Sequence, residues 1–495
     1  MLMNEILGAT WIVLILSGVL VQVLSPIKNG RKLINQYASS VSAMLMVASV
    51  PFAFTAWDSK TGIAATVVVI YLFINSFVLG LWKFHPLRTR SQVVKSGIVL
   101  SLGLGAYGAL DALDTVTNLN VAVVSLMLSV AIFLRTALRV HSSRVDLTDD
   151  KIIAKEPTVS MLVPARNETH ALTKHLKSAI KSEYNRLEFL VADDCSQDDT
   201  AQIIRSFAHD GVRFVQGHAP SDSWIGKNRA YQLLAEHSSG DYLIFSGVDT
   251  RYGEQTISKI ISHMSSQKLD MMSIMPCHEK LGLLSMVIQP IRYFLMLATA
   301  TKKNPPVLST VWIIRRSKLI KYGGFEAVEN SIIPEQYFAR KANDKGAYKF
   351  IIAGKGLGLS TYKKASSQYD TMTRYMYPLL RKNVANHAIF TLAVLLVVGY
   401  PALHVTISLF TEWTLVSGMF LSSLLLMLGA YVLIVRATYP ARMLIYSPFY
   451  FFAGSLTVYA VSIYSVFMYE LDKVIWKGRN VCYPVMMDDL HKSKK

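Results

Sequence analysis

Ser160-Met-Leu-Val-Pro-Ala-Arg-Asn-Glu168 sets a short apolar run against a polar, charged end. The same change recurs twice downstream. Phe189–Ala192 runs into Asp193-Asp-Cys-Ser-Gln-Asp-Asp-Thr200, and Tyr242–Phe245 runs into Gly247-Val-Asp-Thr250. Runs of this length with turn residues behind them read as buried strands. Open α/β sheets bind ligands at the carboxyl ends of their strands. Three acidic loops at three strand ends therefore predict one crevice, suited to a divalent metal and a nucleotide diphosphate.

Working outward, Val212–Val215 and Met271–Ile274 read as further strands. Ala171–Ser182, Thr200–Ala208, Lys227–His237 and Glu254–Met264 read as amphipathic helices between them. Strand alternating with helix predicts a mostly parallel sheet with right-handed crossovers. This α/β stretch is bounded by apolar spans. Five precede it, at about 7–24, 38–57, 63–82, 97–113 and 121–138, and three follow, at about 389–410, 415–435 and 444–469. Each approaches the ~20 residues that a helix needs to cross the hydrocarbon core. The expected layout is a membrane domain over 1–145, an α/β domain over 146–383, a second membrane domain over 384–471 and a basic tail over 472–495.

Loop charges orient these spans. Lys28, Arg31 and Lys32 follow the first span, and Lys83, Arg88, Arg90 and Lys95 follow the third. Arg135, Arg139 and Arg144 follow the fifth. The positive-inside rule then puts the α/β domain in the cytoplasm, at the inner face of a bacterial-type membrane. Three later spans would leave the tail outside, yet it carries Lys473, Lys477, Arg479, Lys492, Lys494 and Lys495. Either one C-terminal segment is re-entrant or the tail departs from the rule. Leu281–Ala300 is apolar but holds Pro290 and Arg292, so it reads as a helix in the membrane interface or as a buried core helix.

The formal net charge is +18 and 52% of residues are hydrophobic. The basic residues flank apolar spans rather than interleaving with aromatics, which points to anionic lipid and away from nucleic acid. Cys195, Cys277 and Cys482 have neither zinc-site spacing nor the number for a closed disulfide framework. The twelve histidines show no metal spacing; His218 and His278 read as structural.

Individual residues carry chemistry. Asp193 and Asp194 end a strand, where carboxylates accept hydrogen bonds from a nucleobase or ribose. Asp198 and Thr200 suit a helix cap. Asp249 is placed to hold Mg²⁺ or Mn²⁺, ions that use one or two protein carboxylates plus phosphate. Trp224-Ile-Gly-Lys-Asn228 opens a helix without being a P-loop, and Lys227 there can meet a phosphate.

Taken together, Pro164–Glu168, Asp193–Asp198, Trp224–Lys227, Val248-Asp249, Gly323-Gly-Phe325 and Pro334-Glu335 resemble membrane-bound family 2 glycosyltransferases that put a sugar on a lipid. Trp476-Lys-Gly-Arg479 is similar to a C-terminal element of such enzymes. The resemblance covers about 158–383. It implies a GT-A fold inserted between transmembrane segments, a nucleotide-sugar donor (UDP-linked by expectation) and inversion at the anomeric carbon. It also implies that Arg166, Glu168, Asp193 and Asp194 hold the nucleotide, Lys227 lines the donor pocket and Asp249 binds the metal. Three positions depart from the pattern. Gly247 stands where the first aspartate of Asp-x-Asp belongs. Glu335-Gln336 stands where Glu-Asp supplies the base, leaving Glu335, Asp344 or Glu329 as candidates. The Gln-x-x-Arg-Trp element is missing, with Arg381 or Lys382 nearby to meet the diphosphate. The expected partners are donor, lipid acceptor and bilayer. A processive polysaccharide synthase and a non-catalytic nucleotide-sugar-binding protein are the alternatives.

Overall fold

The structure is a computed structural model and describes residues 114–145, 147, 156–219, 224–278 and 285–482. The first four expected spans, the start of the 281–300 segment and the end of the tail lie outside the described residues. The chain divides into two compact units, one comprising 1–129, 377–425 and 466–471, the other 130–376, 426–465 and 472–495.

The second unit is built on seven strands. In chain order they and their smaller companions are β1 Val159–Ala165, β2 Leu187–Asp193, β3 Val212–Gln216, β4 Tyr242–Ser246, β5 Thr250–Tyr252, β6 Met271–Met275, β7 Cys277–His278, β8 Val311–Arg315, β9 Tyr348–Ile352 and β10 Leu359–Thr361. The main sheet runs β3-β2-β1-β4-β8-β6-β9, and a smaller one runs β5-β10-β7. β1 pairs in parallel with β2 and β4, so their acidic carboxyl ends emerge on one edge. β8 is antiparallel to both β4 and β6, which makes the sheet mixed.

Alternation along the strands separates two cores. Met161, Val163, Ile244 and Ile313 face α2 (Leu172–Ala179), α3 (Thr200–Ser206) and α5 (Thr256–Ser266), which bring Leu176, Ile204 and Ile260. (The first helix, α1, is Asp114–Ser143.) Leu162, Leu243, Phe245 and Trp312 face α4 (Gly226–His237), with Tyr231 and Leu234, and α8 (Pro334–Asn343), with Phe338. Phe245 and Trp312 stack with centroids 4.1 Å apart. α6 (Ser285–Thr299) falls within the expected interfacial segment, and Met286, Ile291, Tyr293 and Leu297 on it are buried. α7 is Arg316–Lys321 and α9 is Ala365–Leu379.

Four described helices are long and apolar enough to cross a membrane: Asn118–Ser143 within α1, α10 (Val384–Ser408), α11 (Leu415–Thr438) and α12 (Ser447–Glu470). In the first unit, Ser423 Oγ on α11 meets Ser125 Oγ at 2.9 Å and Ser129 Oγ at 2.6 Å, and Tyr400 on α10 donates to Asn118 at 2.7 Å. Small hydroxyls let apolar helices pack closely while satisfying one another. After α12, Ile475–Trp476 (β11) and Arg479–Asn480 (β12) form a hairpin that belongs to the second unit.

Candidate active site

The carboxyl edge of β1, β2 and β4 opens into a cavity of about 490 Å³. Arg166 and Glu168 follow β1, Asp194 follows β2, and Asp249 follows β4; all four line it, as does Lys227 in the first turn of α4. Three separated acidic loops therefore meet in one place. Asp193 is buried beside the cavity rather than lining it, and caps its own loop by accepting Ser196 N–H at 3.2 Å. Glu335 and Arg381 are not among the lining residues. Glu335 is 1% exposed in the first turn of α8, with Oε2 lacking a hydrogen-bond partner. Arg381 belongs to the first unit and sits at φ 61° after α9.

The β11–β12 hairpin forms one wall through Ile475, Trp476, Lys477 and Gly478. Lys477 Nζ meets Glu168 at 2.5 Å and donates to Arg166 O at 2.8 Å. Arg479 Nη1 reaches both Asp194 oxygens at 2.8 Å. Arg166 in turn donates from Nε to Lys477 O at 3.0 Å and from Nη1 to Asp194 O and Cys195 O at 2.5 and 2.8 Å. The guanidinium of Arg166 thus organises backbone. Gly226 of the Trp-Ile-Gly-Lys motif is explained by the same contact: a Cβ there would lie 2.3 Å from Arg479 Nη1.

Burial raises the pKa of both Glu168 and Asp194, and their cationic partners oppose the shift. The cavity is also lined by Arg292 of α6, Lys363 after β10, and Asp370 and Arg374 of α9. Lys363 donates to Thr371 Oγ1 at 2.7 Å. Burial pushes its pKa down to about 7; Asp249 opposes that, and Arg292, Arg374 and Lys227 add to it. Tyr362 N–H donates to Asp249 O at 3.0 Å, so the chain after β10 is strapped alongside β4's end. In all, six lysines and arginines face four carboxylates, an excess of positive charge that favours an anion.

Asp249 can hold a divalent ion whose remaining ligands come from a diphosphate and water, the usual arrangement for Mg²⁺. No group of three or more His, Cys, Asp or Glu side chains suited to a metal occurs among the described residues, so an all-protein cage is not formed there. At the base position, Gln336 donates from Nε2 to Pro305 O at 3.0 Å. His278 is stacked on Tyr439 at 4.5 Å, and burial pushes its pKa to about 3, so it is a neutral structural group.

Residues 160–323 match the family described as Glycosyl transferase family 2. This is a family 2 glycosyltransferase domain. The mixed sheet of the transferase domain is GT-A-like, as the resemblance implied. The chain is 37% identical over 142 residues to 4,4'-diaponeurosporenoate glycosyltransferase of Staphylococcus haemolyticus, covering 28% of this chain and 37% of that one. It is 29% identical over 119 residues to glycosyltransferase AglE of Haloferax volcanii, covering 23% and 38%. The match thus spans little more than a third of these relatives' length. A solved mannosyltransferase of Pyrobaculum calidifontis, PcManGT in complex with GDP-Man and Mn²⁺, is 14% identical with a TM-score of 0.43, covering 70% of this chain and 98% of that one.

Arg292, Lys363, Asp370 and Arg374, which line the cavity, were not singled out as site residues from the sequence. The roles of Lys477 and Arg479 were missed too, although the Trp-x-Gly-Arg element was visible.

Proposed function

We propose that the protein transfers a hexose from a nucleoside diphosphate sugar, UDP-linked, to a membrane lipid, with inversion at the anomeric carbon. The observation that carries this is the meeting of Glu168, Asp194 and Asp249 in one cation-rich cavity of a transferase domain whose chain also carries long apolar helices. Asp249 would hold Mg²⁺ or Mn²⁺ on the diphosphate, which supplies charge to the departing phosphate. Lys227, Arg292, Lys363 and Arg374 hold the diphosphate from the protein side. Lys477 and Arg479 neutralise Glu168 and Asp194, so those carboxylates can serve nucleoside hydroxyls without repelling the phosphates.

The acceptor follows from what the base position lacks. An amide at Gln336 takes no proton. Glu335 is enclosed and does not line the cavity. A carboxylate acceptor is already ionised and needs no base. Its oxygen attacks the anomeric carbon, the bond from that carbon to the phosphate oxygen breaks, and the diphosphate leaves with the electron pair. The staphylococcal relative's printed name gives a carboxylate acceptor of this kind. A lipid hydroxyl is the second reading, with Asp370 on the cavity wall as the base.

The purified full chain in nanodiscs, given UDP-sugars, Mn²⁺ and a long-chain polyene carboxylate or its alcohol, decides between them. Release of UDP with a hydroxylamine-labile product supports the ester reading. A hydroxylamine-stable product supports the hydroxyl reading, a polymer supports a synthase, and donor binding without turnover refutes an enzyme.

A further inference from the structure

α12 is 24 residues of mean hydropathy 1.6, long enough to cross a bilayer. Connectivity argues that it does not. Tyr439, immediately after α11, stacks face to face on His278 of the transferase domain, with centroids 4.5 Å apart and an interplanar angle of 2°. The chain is therefore back at that domain before α12 starts. Beyond α12, Lys477 and Arg479 are paired with Glu168 and Asp194 of the same domain. The segments just before and just after α12 are therefore fastened to the transferase domain, and a water-facing domain of this kind lies on one side of a membrane. A single crossing between those two anchors would put one of them on the far side of the bilayer from the other.

The contacts along α12 agree. Gly454 lies so close to α6 that a Cβ would be 2.6 Å from Val287 O and 3.2 Å from Ile291. Further along, Ser465 Oγ donates to Thr373 O of α9 at 2.5 Å, and the Tyr464 ring lies 6.2 Å from Tyr369. Between Gly454 and Ser465 the axis advances about 16 Å. A helix leaving the domain along the membrane normal would not stay in contact over that distance. The two faces differ accordingly. Phe451, Val458, Val461 and Ser465 are buried, whereas Phe449 and Leu456 are 69% and 70% exposed and Phe452 and Tyr464 are 41% and 43% exposed.

We infer that α12 lies in the plane of the membrane interface, packed lengthwise on the transferase domain, with Phe449, Phe452, Leu456 and Tyr464 set into the lipid. Without a crossing by α12, the start of the basic tail stays on the same side as the active site that it pairs with. The helix ends shortly before the hairpin that walls the cavity. The placement does not depend on the reaction proposed above.

Spin labels test it. Single cysteines at Phe449, Leu456 and Tyr464, in the full chain lacking Cys195, Cys277 and Cys482, are labelled in nanodiscs and their depth read from oxygen against nickel-chelate accessibility. Labels at Leu415 and Leu425 on α11 serve as the crossing control. The expected result is one shallow depth for the three α12 labels and a steep gradient on α11. A gradient on α12 reaching the bilayer centre overturns the inference, and so do water-exposed labels on α12. In proteoliposomes, an impermeant maleimide should label Arg442→Cys and Lys473→Cys from the same side; labelling from opposite sides overturns it independently.

Discussion

Arg479→Met tests what holds the hairpin over the donor cavity. Arg479 Nη1 lies 2.8 Å from both oxygens of Asp194, with side chains 13% and 5% exposed. Removing one partner of a buried pair costs about 3–5 kcal/mol, because the other charge stays buried without compensation. The small residual exposure places this case near the lower end, at about 3 kcal/mol. The Lys477–Glu168 pair is more open, at 22% and 16%, so screening reduces it. Lys477→Met should cost about 1 kcal/mol. Two-residue strands contribute little cohesion of their own. With about 1.4 kcal/mol per factor of ten, hydrogen exchange across 474–480 should rise about 100-fold in Arg479→Met and about fivefold in Lys477→Met. The assay is exchange mass spectrometry on the detergent-solubilised chain, normalised to peptides from β1 and β4. Burial already raises the pKa of Asp194, and losing Arg479 raises it further. A carboxyl raised in the closed state costs nothing below its ordinary pKa and most above its raised one, so the penalty should grow as pH rises and shrink as acid protonates Asp194. Asp194→Asn with Arg479→Met should recover part of the loss, since neither charge is then stranded. Wild-type exchange in Arg479→Met, or an effect no larger than that of Lys477→Met, would refute the reasoning.

Three further outcomes are expected. Asp249→Asn should lower donor-dependent UDP release at least 100-fold and abolish Mn²⁺-dependent enhancement of UDP binding measured by calorimetry, the order expected for losing a metal's charge stabilisation. Lys363 has a pKa pushed down to about 7, so its ammonium is present below that pH and lost above it, while a bound diphosphate favours the charged form. UDP binding at pH 7.5 should therefore take up protons, seen by calorimetry in two buffers of different ionisation enthalpy; affinity should fall as pH rises past 7, and Lys363→Met should flatten that dependence. Gly454→Val places a Cβ 2.6 Å from Val287 O and should lower the apparent melting temperature of the solubilised chain, whereas Gly418→Ala, with no described residue within 4 Å of its Cβ, should not.

The sheet was legible where local pattern suffices. β1, β2, β3, β4 and β6 lie on the runs read as strands, and the helices between them start and stop within a few residues of the expected places. Each strand there is a short buried run ended by turn residues, and both signals are local. β8 was not read, because an antiparallel strand inserted between β4 and β6 arrives from beyond α6 with no local mark of where it pairs. The three-residue strands β5 and β10 are too short to show a period, yet their pairing carries Lys363 to Asp249. The conflict between the loop charges and the basic tail could not be resolved from hydropathy, since α12 has the length and composition of a span.

The sequence by itself determined the α/β alternation, the acidic ends of three strands, the apolar spans and the family. These rest on neighbours in the chain, where side-chain period and turn chemistry act over a few residues. Only the tertiary structure decided that Lys477 and Arg479 close over Glu168 and Asp194, that Arg292, Lys363 and Arg374 line one cavity with Asp249, and that Glu335 is enclosed. Those contacts join segments far apart in the chain, so packing and charge pairing across the fold select them, and no local pattern encodes them.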